Sequence, residues 1–414
     1  MANGREERNI VMFPFMAAGH LNPFMALARQ LERKESYTVT IVSTPLNIQR
    51  LKSSLPSKTN IRLAEIPFQG TNYGLPPDIE NTDTVSLELV IRLMEASENL
   101  ESPFKSLLID ISKHNGCAPM CIISDMFLGW TVKVANELGI YHAVFIAGAG
   151  YSMAIYFSLS LNVHQFQTDD QEFLLPDFPE ASKIQQSQLG NDLRLTDSNN
   201  AFWLFRKRQF SHCFCSDAIL LNTMEGLGDI GVQYFKRKMG GKPVWMIGPA
   251  CSSMKNDAYN QEERSEKLSS KTESCCEWLD LHPPASILSI GAFLSHCGWN
   301  SILESLSQGV PIIGWPLGGE QCFNSQMLGN EVGVCVEVAR GYDSKTKHDE
   351  IARVIKMVLG KTEKGEEMRR KANQMKEKME DALRGGGGFE GSSIKAINDF
   401  LGTATSIKKS SILK

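Results

Sequence analysis

The sequence predicts an α/β protein built from two doubly wound, parallel-sheet (Rossmann-like) domains. Short apolar runs alternate with amphipathic stretches of helical period along most of the chain, which is the pattern of βαβ units. The chain has 414 residues, and single cores stop growing at about 250 to 300 residues. Residues 252–274, SSMKNDAYNQEERSEKLSSKTES, are polar and without hydrophobic period, which marks a linker between two lobes.

Residues 9–15, NIVMFPF, form a continuous apolar run, as a strand buried on both faces requires. In the stretch that follows, MAAGHLNPFMALARQLERK, Asn22 is the expected N-cap and Pro23 the first helical residue, where a missing N–H leaves nothing unpaired. Further strands are predicted at 37–44, 60–68, 121–127 and 142–148, with helices over 84–114 and through WTVKVANELG. Residues 160–200 are polar and rich in Gln and Asp, and are expected to form a surface excursion over the binding cleft. DAILLNTMEGL supplies another strand and turn, and VWMIGPA closes a first domain of residues 1–250. The second domain, 275–385, runs through CCEWLDLHPP, the strand SILSI, the block from Gly291 to Gln321, the strand VGVCVEV and two charged helices ending near 384. Residues 386–414 hold a glycine run, a short apolar helix and a tail.

Apolar content of 42% with 22% charged residues is that of a soluble folded chain, and a net charge of −4 gives no electrostatic footprint for nucleic acid. The N-terminal MANGREERNI is charged where a secretory leader needs an apolar segment, and no run approaches the roughly 18 apolar residues that span a bilayer. A cytoplasmic monomer is expected. Among the ten cysteines, Cys117/Cys121, Cys213/Cys215 and Cys275/Cys276 lack the C-x2-C spacing of a zinc site, and nothing completes a ligand set around His212. No metal is expected, and most cysteines read as small buried hydrophobes.

The block from Gly291 to Gln321 carries the strongest chemistry. FLSH reads as a strand end, CGWN as a tight turn, and SILESLSQG as a helix with Ile302, Leu303 and Leu306 inward. A helix N-terminus offers unpaired N–H groups and about half a positive charge, so it attracts anions. His296, the backbone of the Gly298–Trp299–Asn300 turn and the Ser301 hydroxyl are therefore candidates to cradle a diphosphate. Glu304, one turn on, is suited to the two hydroxyls of a ribose. His20 lies just beyond the carboxyl end of the first strand, where open α/β sheets bind ligands, and an imidazole of pKa near 6.5 accepts a proton at neutral pH. Asp125, ending the strand CIIS, is its natural partner, fixing the Nδ1–H tautomer. Asp125 also reads as an N-cap for the helix beginning near Gly129.

The string FLSHCGWNSILESLSQGVPIIGWPL, with MFPFMAAGHLNPF, LLNTMEGL, MIGPA and CCEWLDLHPPASIL in order around it, resembles the plant UDP-sugar-dependent glycosyltransferases of secondary products. The resemblance implies a GT-B arrangement of two Rossmann-like domains, acceptor-binding first and donor-binding second. It implies transfer of a hexose, glucose foremost, from a UDP-sugar to a hydroxyl of a small lipophilic acceptor such as a phenolic or terpenoid. His20 would be general base with Asp125 behind it, and the product inverted. His296, Gly298, Trp299, Asn300, Ser301 and Glu304 would bind the donor, and Glu320 with Gln321 the hydroxyls of its sugar. UDP-sugar is then a co-substrate, with no bound cofactor.

The chain departs from the family after SILSI. A glycine-serine turn, a helix, two strands and the WAPQ segment that holds uracil are absent, and Ile290 runs directly into Gly291. SILSI and AFLSH are both strand-like, yet parallel neighbours need a crossover of a dozen residues or more. Two outcomes stay open: an active transferase with a shortened donor domain, or a catalytically impaired splice or gene-model product keeping only the acceptor-binding lobe. A nicotinamide oxidoreductase is disfavoured, because neither AAGHLN nor Gly148-Ala149-Gly150 completes G-x-G-x-x-G, and no G-x-S-x-G marks a serine hydrolase. Phe15, Met126 and Phe127 give the acceptor side apolar and aromatic content.

Overall fold

A computed structural model describes residues 8–251 and 290–412, apart from positions 35, 57, 84, 163–171, 187–188, 190–199, 341–343 and 387. The predicted linker and the strand SILSI up to residue 289 lie outside the described residues, as does much of the predicted 160–200 excursion.

The first lobe alternates β1 (Arg8–Phe13), α1 (Ala18–Glu32), β2 (Tyr37–Ser43), α2 (Pro45–Ser54), β3 (Arg62–Glu65), α3 (Leu87–Ser97), α4 (Glu101–Asn115), β4 (Cys121–Asp125), α5 (Thr131–Leu138), β5 (Tyr141–Ile146) and α6 (Gly150–Leu161). A two-stranded antiparallel ribbon, β6 (Glu172–Phe173) with β7 (Ile184–Gln185), precedes α7 (Ala201–Cys213), β8 (Ala218–Leu221), α8 (Asp229–Lys238) and β9 (Val244–Met246). The seven main strands form one parallel sheet in the order β3-β2-β1-β4-β5-β8-β9. The order reverses between β1 and β4, and a crevice at such a switch point is where open α/β sheets bind ligands.

Burial follows strand position. The central strands β4 and β5 are buried at every residue, whereas the edge strand β3 reads RLAE and is exposed at both ends. Alternation along β1 divides the core: Val11 and Phe13 point into one apolar cluster and Ile10 and Met12 into the other, on the opposite face.

The second lobe contains β10 (Phe293–Ser295), α9 (Trp299–Ser307), β11 (Ile312–Gly314), α10 (Gln321–Met327), β12 (Cys335–Glu337), α11 (His348–Leu359) and α12 (Glu363–Ala382). Its strands form a parallel sheet in the order β10-β11-β12 among the described residues. After a short ribbon of β13 (Gly385–Gly386) and β14 (Phe389–Glu390), α13 (Ser392–Ile412) is the last described element.

Two expectations are corrected. The helix after β1 starts at Ala18, with Ala17 rather than Asn22 in the capping position, and Pro23 lies inside it. The short apolar helix of the tail is α13, a helix of 21 residues, and it packs on the first lobe. Phe400 meets Trp245 edge-on at 5.6 Å and Tyr141 at 6.3 Å, and the Ser393 hydroxyl donates to the Gly248 carbonyl. Its apolar stripe, Ile397, Phe400, Leu401 and Ala404, has no core of its own and covers the cluster beneath β1, β4 and β5.

Candidate active site

The two lobes meet over a cavity of about 390 Å³ lined by His20, Met126, Gly148 and Met153 from the first lobe and by the α9 N-terminus and the start of α10 from the second. Of the predicted site residues, His20, His296, Gly298, Trp299, Asn300, Ser301, Glu304, Glu320 and Gln321 all line it. Asp125 stands behind His20, fully buried.

The geometry of α1 follows from its proline. Pro23 has no N–H, so the Gly19 carbonyl, one turn earlier, receives no helical hydrogen bond from it. The Asn300 side-chain amide, from the second lobe, donates to that carbonyl at 3.0 Å. His20 occupies the next position, 18% exposed, with Nδ1 2.7 Å from Asp125 Oδ2. Asp125 divides its carboxylate between two tasks, because Oδ1 accepts the Phe127 N–H at 2.9 Å and caps the 3₁₀ turn of residues 126–128. Asp125 therefore contacts His20 and caps the 126–128 turn, whereas the helix expected from near Gly129 starts at Thr131 with Trp130 in its cap position. Burial acts to lower the pKa of His20, but the charge and hydrogen bond of Asp125, with Glu320 adding, outweigh it and raise the value above 6.5. Nδ1 is taken by Asp125, which leaves Nε2 as the nitrogen open to a ligand.

The turn before α9 is tight. Cys297 adopts a φ of 64°, rare outside glycine, and its N–H is held by the Ser295 hydroxyl at 3.0 Å. A Cβ on Gly298 would lie 2.3 Å from His296 Nε2, so glycine is what lets the imidazole lie over the helix entrance. Partial burial lowers the pKa of His296 from 6.5. Its imidazole therefore favours the neutral form at neutral pH. Burial raises the pKa of Glu304. Gln321 Oε1 accepts the N–H groups of Leu317 and Gly318 at 2.8 and 2.9 Å, which directs its amide NH₂ to other partners.

Trp299 lines the cavity, but its indole N–H donates to the Asn222 carbonyl at 2.6 Å and is not free for a donor molecule. Asn222, at the carboxyl end of β8, also accepts the Ala250 N–H through Oδ1 at 2.7 Å. Sequence reasoning missed this lobe-to-lobe latch, because DAILLNTMEGL read only as a strand and turn and its partner lies 77 residues away. Trp299→Phe keeps an aromatic ring but removes the indole N–H and orphans a buried carbonyl, which costs about 1–3 kcal/mol. Urea unfolding of the variant is expected to show that loss, and an unchanged curve would remove the latch.

Two α/β lobes with parallel sheets facing one cleft, with a helix N-terminus and a buried-carboxylate-backed histidine on opposite walls, are the arrangement of the GT-B class of glycosyltransferases. Residues 6–251 match the family model "Glycosyltransferase, N-terminal domain", and residues 261–372 match "UDP-glucoronosyl and UDP-glucosyl transferase". The chain is 35% identical over 474 aligned residues to UDP-glycosyltransferase 92A1 of Arabidopsis thaliana, covering 95% of this chain and 96% of the relative. It is 32% identical over 482 aligned residues to crocetin glucosyltransferase 3 of Crocus sativus, covering 96% and 99%. Among solved structures, UGT73P12 of Glycyrrhiza uralensis, complexed with glycyrrhetinic acid 3-O-monoglucuronide, superposes with a TM-score of 0.76 at 21% identity, covering 98% of this chain and 97% of that one. UGT71G1 of Medicago truncatula, complexed with UDP-glucose, gives 0.72 at 19%, covering 98% and 100%. The chain belongs to the plant UDP-glycosyltransferase family.

Proposed function

We propose that this chain transfers a hexose, glucose foremost, from a UDP-sugar to a hydroxyl of a small lipophilic acceptor, with inversion at the anomeric carbon. The observation that carries this is the 2.7 Å His20–Asp125 contact at a cavity whose opposite wall is the α9 N-terminus. His20 Nε2 takes the proton of the acceptor hydroxyl, and the oxygen attacks the anomeric carbon. The bond to the diphosphate breaks, and UDP leaves with the electron pair. The charge appearing on the diphosphate is met by the N–H groups that open α9, the Ser301 hydroxyl and the neutral His296 N–H. Glu304 takes the ribose, and Glu320 with the Gln321 amide takes the hydroxyls of the sugar. An apolar acceptor suits the surroundings of His20, whose ring lies 5.8 Å from Phe15 and 5.2 Å from Phe127. The relative named for crocetin and the neighbour bound to a glycyrrhetinic acid glucuronide are in keeping with this. No described helix is long and apolar enough to cross a membrane, and the reading is of a cytoplasmic monomer that needs no bound cofactor.

A second reading, a chain that keeps the acceptor lobe but binds donor poorly, is favoured by one observation. The alignment to the Arabidopsis relative runs over 474 residues, longer than the 414-residue chain itself, so it opens gaps on this chain's side. Gaps of this kind are in keeping with an internal deletion before Gly291. In keeping with it, β10 is the edge strand among the described residues, with Phe293 38% and Leu294 51% exposed. Loss of one base-stacking contact is worth about 1–3 kcal/mol, a roughly ten- to hundredfold weaker donor. Calorimetry with UDP separates the two readings. Binding in the roughly micromolar range, weakened about tenfold or more in His296→Ala through loss of a hydrogen bond to a charged phosphate, supports transfer. A soluble chain that binds no UDP leaves only the second.

A further inference from the structure

We propose that His142, which does not line the cavity, is a positioning residue for the His20–Asp125 pair, its imidazole bridging three buried hydroxyls so as to fix the turn that aims the Asp125 carboxylate. His142 lies on β5 and is wholly buried, as are Ser124, Thr131 and Ser216 around it. Its Nδ1 is 2.9 Å from Ser216 Oγ, and its Nε2 is 3.1 Å from Ser124 Oγ and 3.0 Å from Thr131 Oγ1.

Counting protons fixes the tautomer of His142. Ser216 Oγ lies 2.9 Å from the His142 carbonyl and 3.0 Å from that of Ala218, and neither oxygen can donate. The Ser216 hydroxyl therefore donates to a carbonyl and accepts the Nδ1–H of His142. Thr131 Oγ1 is 2.6 Å from the Leu128 carbonyl, which takes its proton. The Ser124 hydroxyl, also 2.8 Å from Thr131 Oγ1, keeps its proton for the pair formed by Nε2 and Thr131 Oγ1, so Nε2 serves as an acceptor within the Ser124–Thr131 pair. Burial pushes the pKa of His142 down to about 3, so this neutral tautomer persists across the working pH range.

The bonds converge on one turn. Ser124 immediately precedes Asp125, and Thr131 holds the carbonyl of Leu128, so the network grips the segment 125–128 from both ends. Within that segment the Phe127 N–H claims Oδ1 and leaves Oδ2 to His20. An apolar side chain at 142 takes the Nε2 acceptor from the Ser124–Thr131 pair and the Nδ1–H donor from Ser216 Oγ, and the regrouped hydroxyls would let the turn shift. The charged groups that act on His20 are Asp125 and Glu320, with His296 sharing the cavity, and the charged group beside His142 is Asp217, which accepts its backbone N–H at 2.9 Å.

The proposal rests on His20 being the proton acceptor, and its test is chosen to fail separately from that reading. The His20 ring is titrated by NMR in the full chain carrying ¹³C-labelled histidine, with His20→Gln assigning the resonance. Measurements are repeated in His142→Phe and in the milder Ser124→Ala. The expected result is a His20 pKa about one unit lower in both variants, a tenfold loss of proton affinity, with part of it restored in His142→Gln, whose amide offers a donor and an acceptor. Donor KM is expected to stay constant while kcat falls about tenfold. A His20 pKa that stays fixed in Ser124→Ala while the melting temperature falls overturns the proposal, because His142 is then only part of the core. If the pKa moves and the unmodified chain transfers no sugar, the positioning role stands and the catalytic reading fails.

Discussion

His20→Ala is expected to lower kcat/KM for sugar transfer by about 10³-fold, within the 10²- to 10⁴-fold range that a positioned general base contributes. An acceptor hydroxyl is a weak nucleophile until its proton leaves, and Nε2 is the open ring nitrogen because Nδ1 is committed to Asp125 at 2.7 Å. The variant leaves the second-lobe wall of the cavity intact, including His296, Ser301 and Glu304. UDP affinity by calorimetry is therefore expected to remain within about twofold of the parent, since no side-chain bond from His20 to that wall is lost. Loss of turnover with retained UDP binding assigns His20 to the chemical step. A variant that keeps more than about a tenth of the parent kcat/KM rules His20 out as the base.

Much of this arrangement was legible from residues alone, and the failures have a common physical source. NIVMFPF could only be a doubly buried strand, and CGWN before an amphipathic helix could only be a tight entrance, so the two walls of the cavity were visible locally. Asn22 and Pro23 misled because a proline at a helix start and one inside a helix look alike in sequence. Pro23 is tolerated inside because the carbonyl it leaves unpaired, at Gly19, is taken by Asn300, 281 residues further along the chain. The indole N–H of Trp299, a residue read as part of the turn before a helix, spans to Asn222, 77 residues earlier. The stripe of α13 announced that the helix is buried but not what it covers, since Tyr141 and Trp245 lie on distant strands. Local chemistry is written in local sequence; lobe-to-lobe contacts are not.

Asp125→Asn is expected to lower kcat/KM by on the order of 10³-fold, although it changes one atom, and the reason is the second bond of that carboxylate. The Phe127 N–H needs an acceptor, so the amide oxygen of the variant stays on it and the NH₂ group faces His20 Nδ1. Nδ1 must then accept, the ring proton moves to Nε2, and the tautomer able to take the acceptor proton is depleted. The pH profile gives an independent sign. In the parent chain His20 must be neutral to act, and its raised pKa places the acid limb of kcat/KM above 6.5, activity falling as pH drops through it. Without the Asp125 charge, burial is the dominant remaining influence, and the acid limb moves below 6.5 while the plateau falls. Stability carries the same signature through linkage. A folded-state pKa above the unfolded value stabilises the parent fully below about pH 6.5, and this contribution is lost as pH rises through the folded value. The melting-temperature deficit of Asp125→Asn is therefore expected to be larger at pH 5.5 than at pH 8.5. An acid limb that does not move would mean that Asp125 serves the turn at Phe127 and not the imidazole.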